Sequence, residues 1–130
     1  MDADVIVTTT ASRSAMVVLK DLKPSVTLIT VGADTPGKQE IAPEIIHHIV
    51  ATKGKLVADK KEQVVRLGDL QYAPAHIKES EDAIVELSQI VVGKKPGREA
   101  DEMILCDLTG VGAQDAAICE KAFRKCTASL

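Results

Sequence analysis

The sequence predicts an α/β fold built on a parallel sheet, and three observations carry the prediction. Short β-branched runs alternate along the chain with segments of helical periodicity. The apolar 45% of the residues is drawn largely from Ile, Val, Leu and Ala, with Tyr72 and Phe123 the only aromatics. Such a composition suits strands buried on both faces by flanking helices. Glycine or proline stands at most of the junctions between runs.

Taken in order, residues 4–10 (Asp-Val-Ile-Val-Thr-Thr-Thr) read as a buried strand that ends in hydroxyls. Lys23-Pro24-Ser25 is a turn, and residues 26–31 form a second strand, broken by Gly32. Asp34-Thr35-Pro36-Gly37 is a loop. A helix spans 43 to about 52, with Pro43 in its first turn and Gly54 just beyond its end. Residues 55–59 make a third strand, and a short helix at about 61–67 stops at Gly68. Residues 69–80 show little periodicity and are expected to be a loop. Residues 82–92 carry apolar side chains at 84, 85, 87, 91 and 92, which predicts a helix capped by Gly93. A polar turn at 94–99 leads to a fourth strand at 103–108. The Ala-rich stretch from 111 to about 126 is a long helix.

A chain of 130 residues fits one domain or a piece of one. Net charge −3 and scarce aromatics give neither a basic footprint nor a base-stacking surface, so nucleic acid is not an expected partner. The acidic start Met1-Asp2-Ala3-Asp4 lacks the apolar stretch of a secretory signal, and no run approaches membrane-span length. Cys119 and Cys126 fall on one predicted helix, about 10 Å apart, beyond disulfide reach. Reduced thiols and a cytoplasmic setting are expected.

In open α/β sheets ligands bind outside the carboxyl ends of the strands. Here those ends are Thr8-Thr9-Thr10, Gly32-Ala33-Asp34, Asp59 and Leu108-Thr109-Gly110. Asp34 is the sharpest candidate: a carboxylate at an apolar sheet mouth can have a raised pKa and shuttle protons. An Asx-type turn before Pro36 is the plainer alternative. Lys38 could neutralise a phosphate or hold a ribose, or be an ordinary solvated lysine. His47 and His48 point about 100° apart on a helix and cannot form an i,i+4 ligand pair; with no Cys-x-x-Cys either, no metal site is expected. Gly110-Val111-Gly112 superficially resembles a dinucleotide fingerprint, but Asp115 stands where its third small residue belongs. The basic stretch 93–98 reads as a helix stop and turn rather than a phosphate contact.

Four segments together resemble one family. Residues 31–40 (Val-Gly-Ala-Asp-Thr-Pro-Gly-Lys-Gln-Glu) resemble the loop that carries the catalytic aspartate in ornithine cyclodeaminases and archaeal alanine dehydrogenases. Residues 4–10 resemble the preceding strand, 86–99 an ELGEI-then-GKKPGRE segment, and 107–115 a DSTG-then-QD segment. Order and spacing hold across essentially the whole chain, which is similar to the ornithine cyclodeaminase/mu-crystallin family. The resemblance implies a small amino-acid or cyclic-imine substrate and NAD or NADP, with hydride passing between cofactor and the carbon bearing nitrogen. It implies Asp34 as proton donor and acceptor, contacting substrate together with Thr109. Thr10, Val31, Gly32, Ala33 and Lys38 would line the cofactor.

The fold implied is a partial doubly wound, Rossmann-like sheet, and the helix at about 110–128 would return toward an N-terminal domain. Family members are more than twice this long and are expected to be homodimers. Their phosphate-binding glycine turn, ribose-binding acid and substrate-binding Arg and Lys all belong to segments before this one. The chain is therefore expected to be a fragment, inactive alone. Leu108 replaces the serine of the family's DSTG segment and cannot supply its hydroxyl. That departure keeps a second expectation open: a non-catalytic binding or structural relative, as mu-crystallin is in the lens.

Overall fold

The computed structural model describes residues 2–99 and 101–128. The strands are β1 (Val5–Thr8), β2 (Arg13–Val17), β3 (Thr27–Thr30), β4 (Gln39–Ile41), β5 (Lys55–Ala58), β6 (Ile84–Glu86) and β7 (Ile104–Asp107). The helices are α1 (Pro43–Ala51), α2 (Lys61–Leu67), α3 (Ala75–Glu79), α4 (Leu87–Val91) and α5 (Gly112–Thr127). Short 3-10 turns lie at Leu19–Asp21 and Asp69–Tyr72.

Five strands form one sheet in the order β1-β3-β7-β5-β6, every neighbouring pair parallel. The α/β class read from the sequence is the observed one. β2 and β4 make a separate parallel pair whose register slips between Arg13 and Val17.

The register explains both the core and the site. Ile6, Leu28, Leu105, Leu56 and Ile84 align across all five strands as one apolar row. That row faces Ile45, Ile46 and Ile49 of α1, Val64 of α2 and Ile77 of α3, all buried in one cluster. Each large aliphatic side chain buried this way contributes about 1.5–3 kcal/mol over leaving it exposed. Two residues further along, on the same face, the aligned row is Thr8, Thr30, Asp107, Ala58 and Glu86. The sheet thus turns from apolar to polar at its carboxyl edge.

The intervening row, Val7, Ile29, Cys106, Val57 and Val85, points to the opposite face. α4 and the segment after it lie against this face, around an apolar depression lined by Ile29, Val57, Leu87, Ile90, Ile104 and Cys106. The segment is pinned by Lys55, whose Nζ binds Gly97 O, Glu99 and Glu102, and by Arg98, which reaches Thr27 and Ser25. These partners sit at the amino ends of β3 and β5, opposite the carboxyl edge, so the basic stretch 93–98 works here as a strap.

Two expectations are corrected. Residues 82–92 are not one helix: Ile84 and Val85 join the sheet beside β5, and the chain then enters α4. The Glu86 N–H donates to Gln89 Oε1 at 3.0 Å, closing the helix start. Residues 69–80 are not a plain loop, because the 3-10 turn and α3 fill it, placing Leu70, Ala73 and Ile77 in the core. Among the described residues no helix is long and apolar enough to cross a membrane.

Candidate active site

The carboxyl edge of β1 and β3 is built around a type II turn. The Lys38 N–H donates to Thr35 O at 3.1 Å, with Pro36 and Gly37 between them. Gly37 adopts φ 80°, which the third position of this turn requires and which glycine takes without a Cβ clash. The turn folds Lys38 back over the loop, so that its Nζ lies 2.6 Å from Asp34 Oδ1 and 3.2 Å from Gly32 O. The Thr35 hydroxyl donates to the same Asp34 oxygen at 2.9 Å. The Asx-turn alternative is not formed, since its donor would be residue 36, a proline with no N–H; the Gly37 N–H goes to Gln71 Oε1 at 3.1 Å.

Asp34 does not have the raised pKa that the sheet-mouth reading allowed. Its side chain is 50% exposed. The hydrogen bonds from Lys38 and then Thr35 hold it below the ordinary carboxylate value, outweighing its small desolvation. It is an ionised, accessible carboxylate at neutral pH.

Beneath this loop lies a group that the sequence reading did not single out. Glu40, on β4, is fully buried. Its Oε1 accepts the Thr10 N–H at 2.6 Å and the Thr10 hydroxyl at 2.8 Å. Its Oε2 accepts the Gly32 N–H and the Thr8 hydroxyl, both at 2.8 Å. Burial opposes its ionisation, but these four donors together hold its pKa below the ordinary value. Gly32 has to be glycine here, because a Cβ would stand 2.1 Å from Thr10 O and 2.6 Å from Glu40 Oε1.

Two further buried carboxyls continue inward. Asp69 Oδ1 accepts the N–H groups of Glu40 and Ile41, while its Oδ2 has no partner among the described residues. Asp107 accepts the Thr30 hydroxyl on one oxygen and the Leu70 N–H on the other. Burial, with the neighbouring Asp69 charge, pushes Asp107 up to about 7. Only Asp107 stands inside an apolar run, Ile104-Leu105-Cys106-Asp107-Leu108; Glu40 and Asp69 have polar or glycine neighbours and carry no such signal.

The remaining candidates separate by position. Thr10, Gly32, Asp34 and Lys38 share the β1–β3 edge, and Val31 is exposed beside them. Ala33 is buried, at 1% exposure. Thr109 lies at the end of the neighbouring β7, its hydroxyl 3.4 Å from Asp59 Oδ1; Asp59 Oδ2 also accepts the Gly110 N–H at 2.6 Å. His47 is exposed and His48 half-buried on α1, and among the described residues no cluster of His, Cys, Asp or Glu could hold a metal.

Comparison with known proteins supplies a family. The model of the ornithine cyclodeaminase/mu-crystallin family matches residues 1–128. The iminosuccinate reductase of Paracoccus denitrificans, solved in complex with NAD+, is 35% identical, with TM-score 0.80 over 92% of this chain and 36% of its own. An archaeal alanine dehydrogenase dimer with bound NAD gives TM-score 0.82 at 31% identity, over 97% of this chain and 38% of its own. The Δ1-pyrroline-2-carboxylate reductase of Thermococcus litoralis, in complex with NADH and L-proline, gives TM-score 0.83 at 27% identity, over 98% and 39%. The chain thus spans less than two-fifths of the length of these three relatives.

Proposed function

The chain belongs to the ornithine cyclodeaminase/mu-crystallin family, and on that premise we propose that it forms the catalytic-loop part of an NAD(P)-dependent amino-acid dehydrogenase or cyclodeaminase. The substrate class is a small amino acid or its cyclic imine. When bound, the nicotinamide supplies hydride acceptance or donation at the substrate carbon bearing nitrogen. Asp34 takes the proton that the nitrogen releases as amine becomes imine, and returns it in the reverse direction. The observation that carries this reading is an accessible carboxylate, held ionised by Lys38, at the mouth of a parallel sheet.

The residues at this edge suit one end of the cofactor. Exposed Val31 offers an apolar surface, Thr10 a hydroxyl and Lys38 a cation, a set that matches a nicotinamide and its ribose. Ala33 supports that surface from below, and Thr109 contacts substrate from the β7 side. The pyrophosphate needs a glycine turn at a helix N-terminus, and Gly110-Val111-Gly112 with Asp115 does not make one. That end is therefore assigned to segments outside this chain. α5 is assigned as the helix that docks on a further domain, in a protein that works as a homodimer like the alanine dehydrogenase above. Three unpaired cysteines suit a reducing, cytoplasmic setting.

The test is Asp34→Asn in the full-length protein. Asparagine keeps the loop's shape but cannot accept and return a proton. Turnover should fall about 10²-fold or more, with cofactor Kd little changed. Unchanged turnover would overturn the assignment. Leu108 favours a second reading, a non-catalytic relative, because it offers no hydroxyl where the family's segment has serine. Cofactor binding without turnover on any amino acid or cyclic imine would select that reading.

A further inference from the structure

We propose that Glu40 is a positioning residue: its buried carboxylate clamps the Thr10 loop to the Gly32–Asp34 loop and so sets the width of the crevice between β1 and β3. The inference rests on the functional reading above only for what the crevice holds. The clamp itself rests on geometry.

A carboxylate offers about four acceptor sites, and here four donors occupy them, two on each oxygen. The donors come from both sides of the crevice: Thr8 and Thr10 at the end of β1, and Gly32 past the end of β3. The sheet cannot hold this spacing itself, because the β1–β3 register ends at Thr8 and Thr30. The last backbone bond between the two ends is Val31 N–H to Thr8 O at 2.9 Å. Beyond it, Glu40 makes the connection.

Glu40 is itself held. Its own N–H and that of Ile41 both donate to Asp69 Oδ1, at 2.9 and 3.2 Å. The side chain is thus placed from the interior side of β4 and reaches outward to the loops. Gly32 fits the same logic, since any Cβ there would strike both Thr10 and the Glu40 carboxylate. Gln at 40 would keep the length but present an NH2 group to backbone N–H donors. Asp would keep the charge but fall one methylene short.

Two measurements test the clamp. In the unsubstituted chain, the Thr10 and Gly32 amide resonances should move together as the Glu40 side-chain carboxyl is titrated, below the ordinary glutamate range. If the two amides do not follow that carboxyl, the clamp is refuted without any variant. In the full-length protein, Glu40→Gln should weaken NAD+ binding by about tenfold or more, reading the loss of charge-assisted bonds. The limb of the pH–rate profile set by Asp34 should stay in place. Asp82→Asn, which neutralises an exposed carboxylate paired with Lys95 outside the clamp, should stay within about threefold of the parent. A folded Glu40→Gln protein with parental affinity, or an equal loss in Asp82→Asn, would overturn the proposal. Absence of NAD+ binding by the parent would sink the functional reading instead, and the amide titration would still decide the clamp.

Discussion

Asp34 is ionised because the turn after it bends a lysine back onto it. Removing that lysine should therefore change the acid–base behaviour in a defined direction. In Lys38→Met the chief cause of the lowered pKa is gone, so the Asp34 pKa rises toward its ordinary value. The acidic limb of kcat/KM against pH should move to higher pH, and a limb that stays fixed would show that Asp34 does not control the rate. Asp107 behaves in the opposite sense. Its folded pKa is about 7 against an ordinary value of 3.8, so between those values the folded chain holds a proton that the unfolded chain has lost. Stability is then greatest at the acidic end of that window, falls as pH rises toward 7, and levels off above it. Asp69, also raised by burial, acts in the same direction. Glu40, lowered, acts oppositely and below its ordinary 4.5. Thermal melts from pH 5 to 7.5 should show Tm falling by roughly 8 °C, and the slope should shrink in Asp107→Asn. A flat parent profile would mean that the buried pair does not hold this proton.

Elements were legible where one rule decided them. Pro43 and the apolar positions 45, 46 and 49 announce α1, and the β-branched runs announce β1, β3, β5 and β7. The structure departs where two rules compete. At 84–86 the apolar Ile84 and Val85 satisfy a helical period and a strand, and pairing with β5 decides in favour of the strand. β2 and β4, Arg-Ser-Ala-Met-Val and Gln-Glu-Ile, lack the β-branched run that marks the other strands, and they pair with each other across residues that sequence spacing does not link. The candidate loop was legible through its resemblance. The buried carboxylates under it were not, because burial of an acid is a tertiary property. A smaller surprise sits at the end of α1. Gly54 was expected to end the helix, yet Lys53 takes the left-handed position at φ 59°, with its N–H on Val50 O and the Gly54 N–H on Ile49 O. This is a Schellman end with lysine where glycine is preferred. Lys53→Gly should stabilise the chain by about 1 kcal/mol, or roughly 3 °C in Tm. A loss of stability would mean that the lysine side chain contributes more than its backbone costs.

At the scale of the molecule, one face of the sheet is finished and the rest is open. Among the described residues β1 pairs only with β3, and Val5 and Val7 are 55% and 56% exposed. An apolar strand edge without a neighbour invites pairing with other chains. α5 is exposed along its length, carrying Ile118 and Phe123 into solvent, and its residues contribute nothing to the core. A helix of 16 residues with none of them buried is marginal in water, since most helical stability in proteins comes from packing an apolar face. Two behaviours are then possible for the chain alone, and they have different signatures. If α5 stays unpartnered, its amides should exchange close to the unfolded rate, while those of β3 and β7 in the sheet centre remain protected. If chains associate through α5 or β1, protection in that element should rise with concentration, and sedimentation should show a mass above the monomer over the same range. The open strand and the exposed aliphatic and aromatic positions favour the second course, so the isolated chain is expected to self-associate. Phe123→Glu should then lower the associated fraction if α5 is the contact, and Val7→Lys should do so if it is β1. A concentration-independent monomer with α5 as protected as α1 would contradict both, because no contact in this fold could then account for the protection.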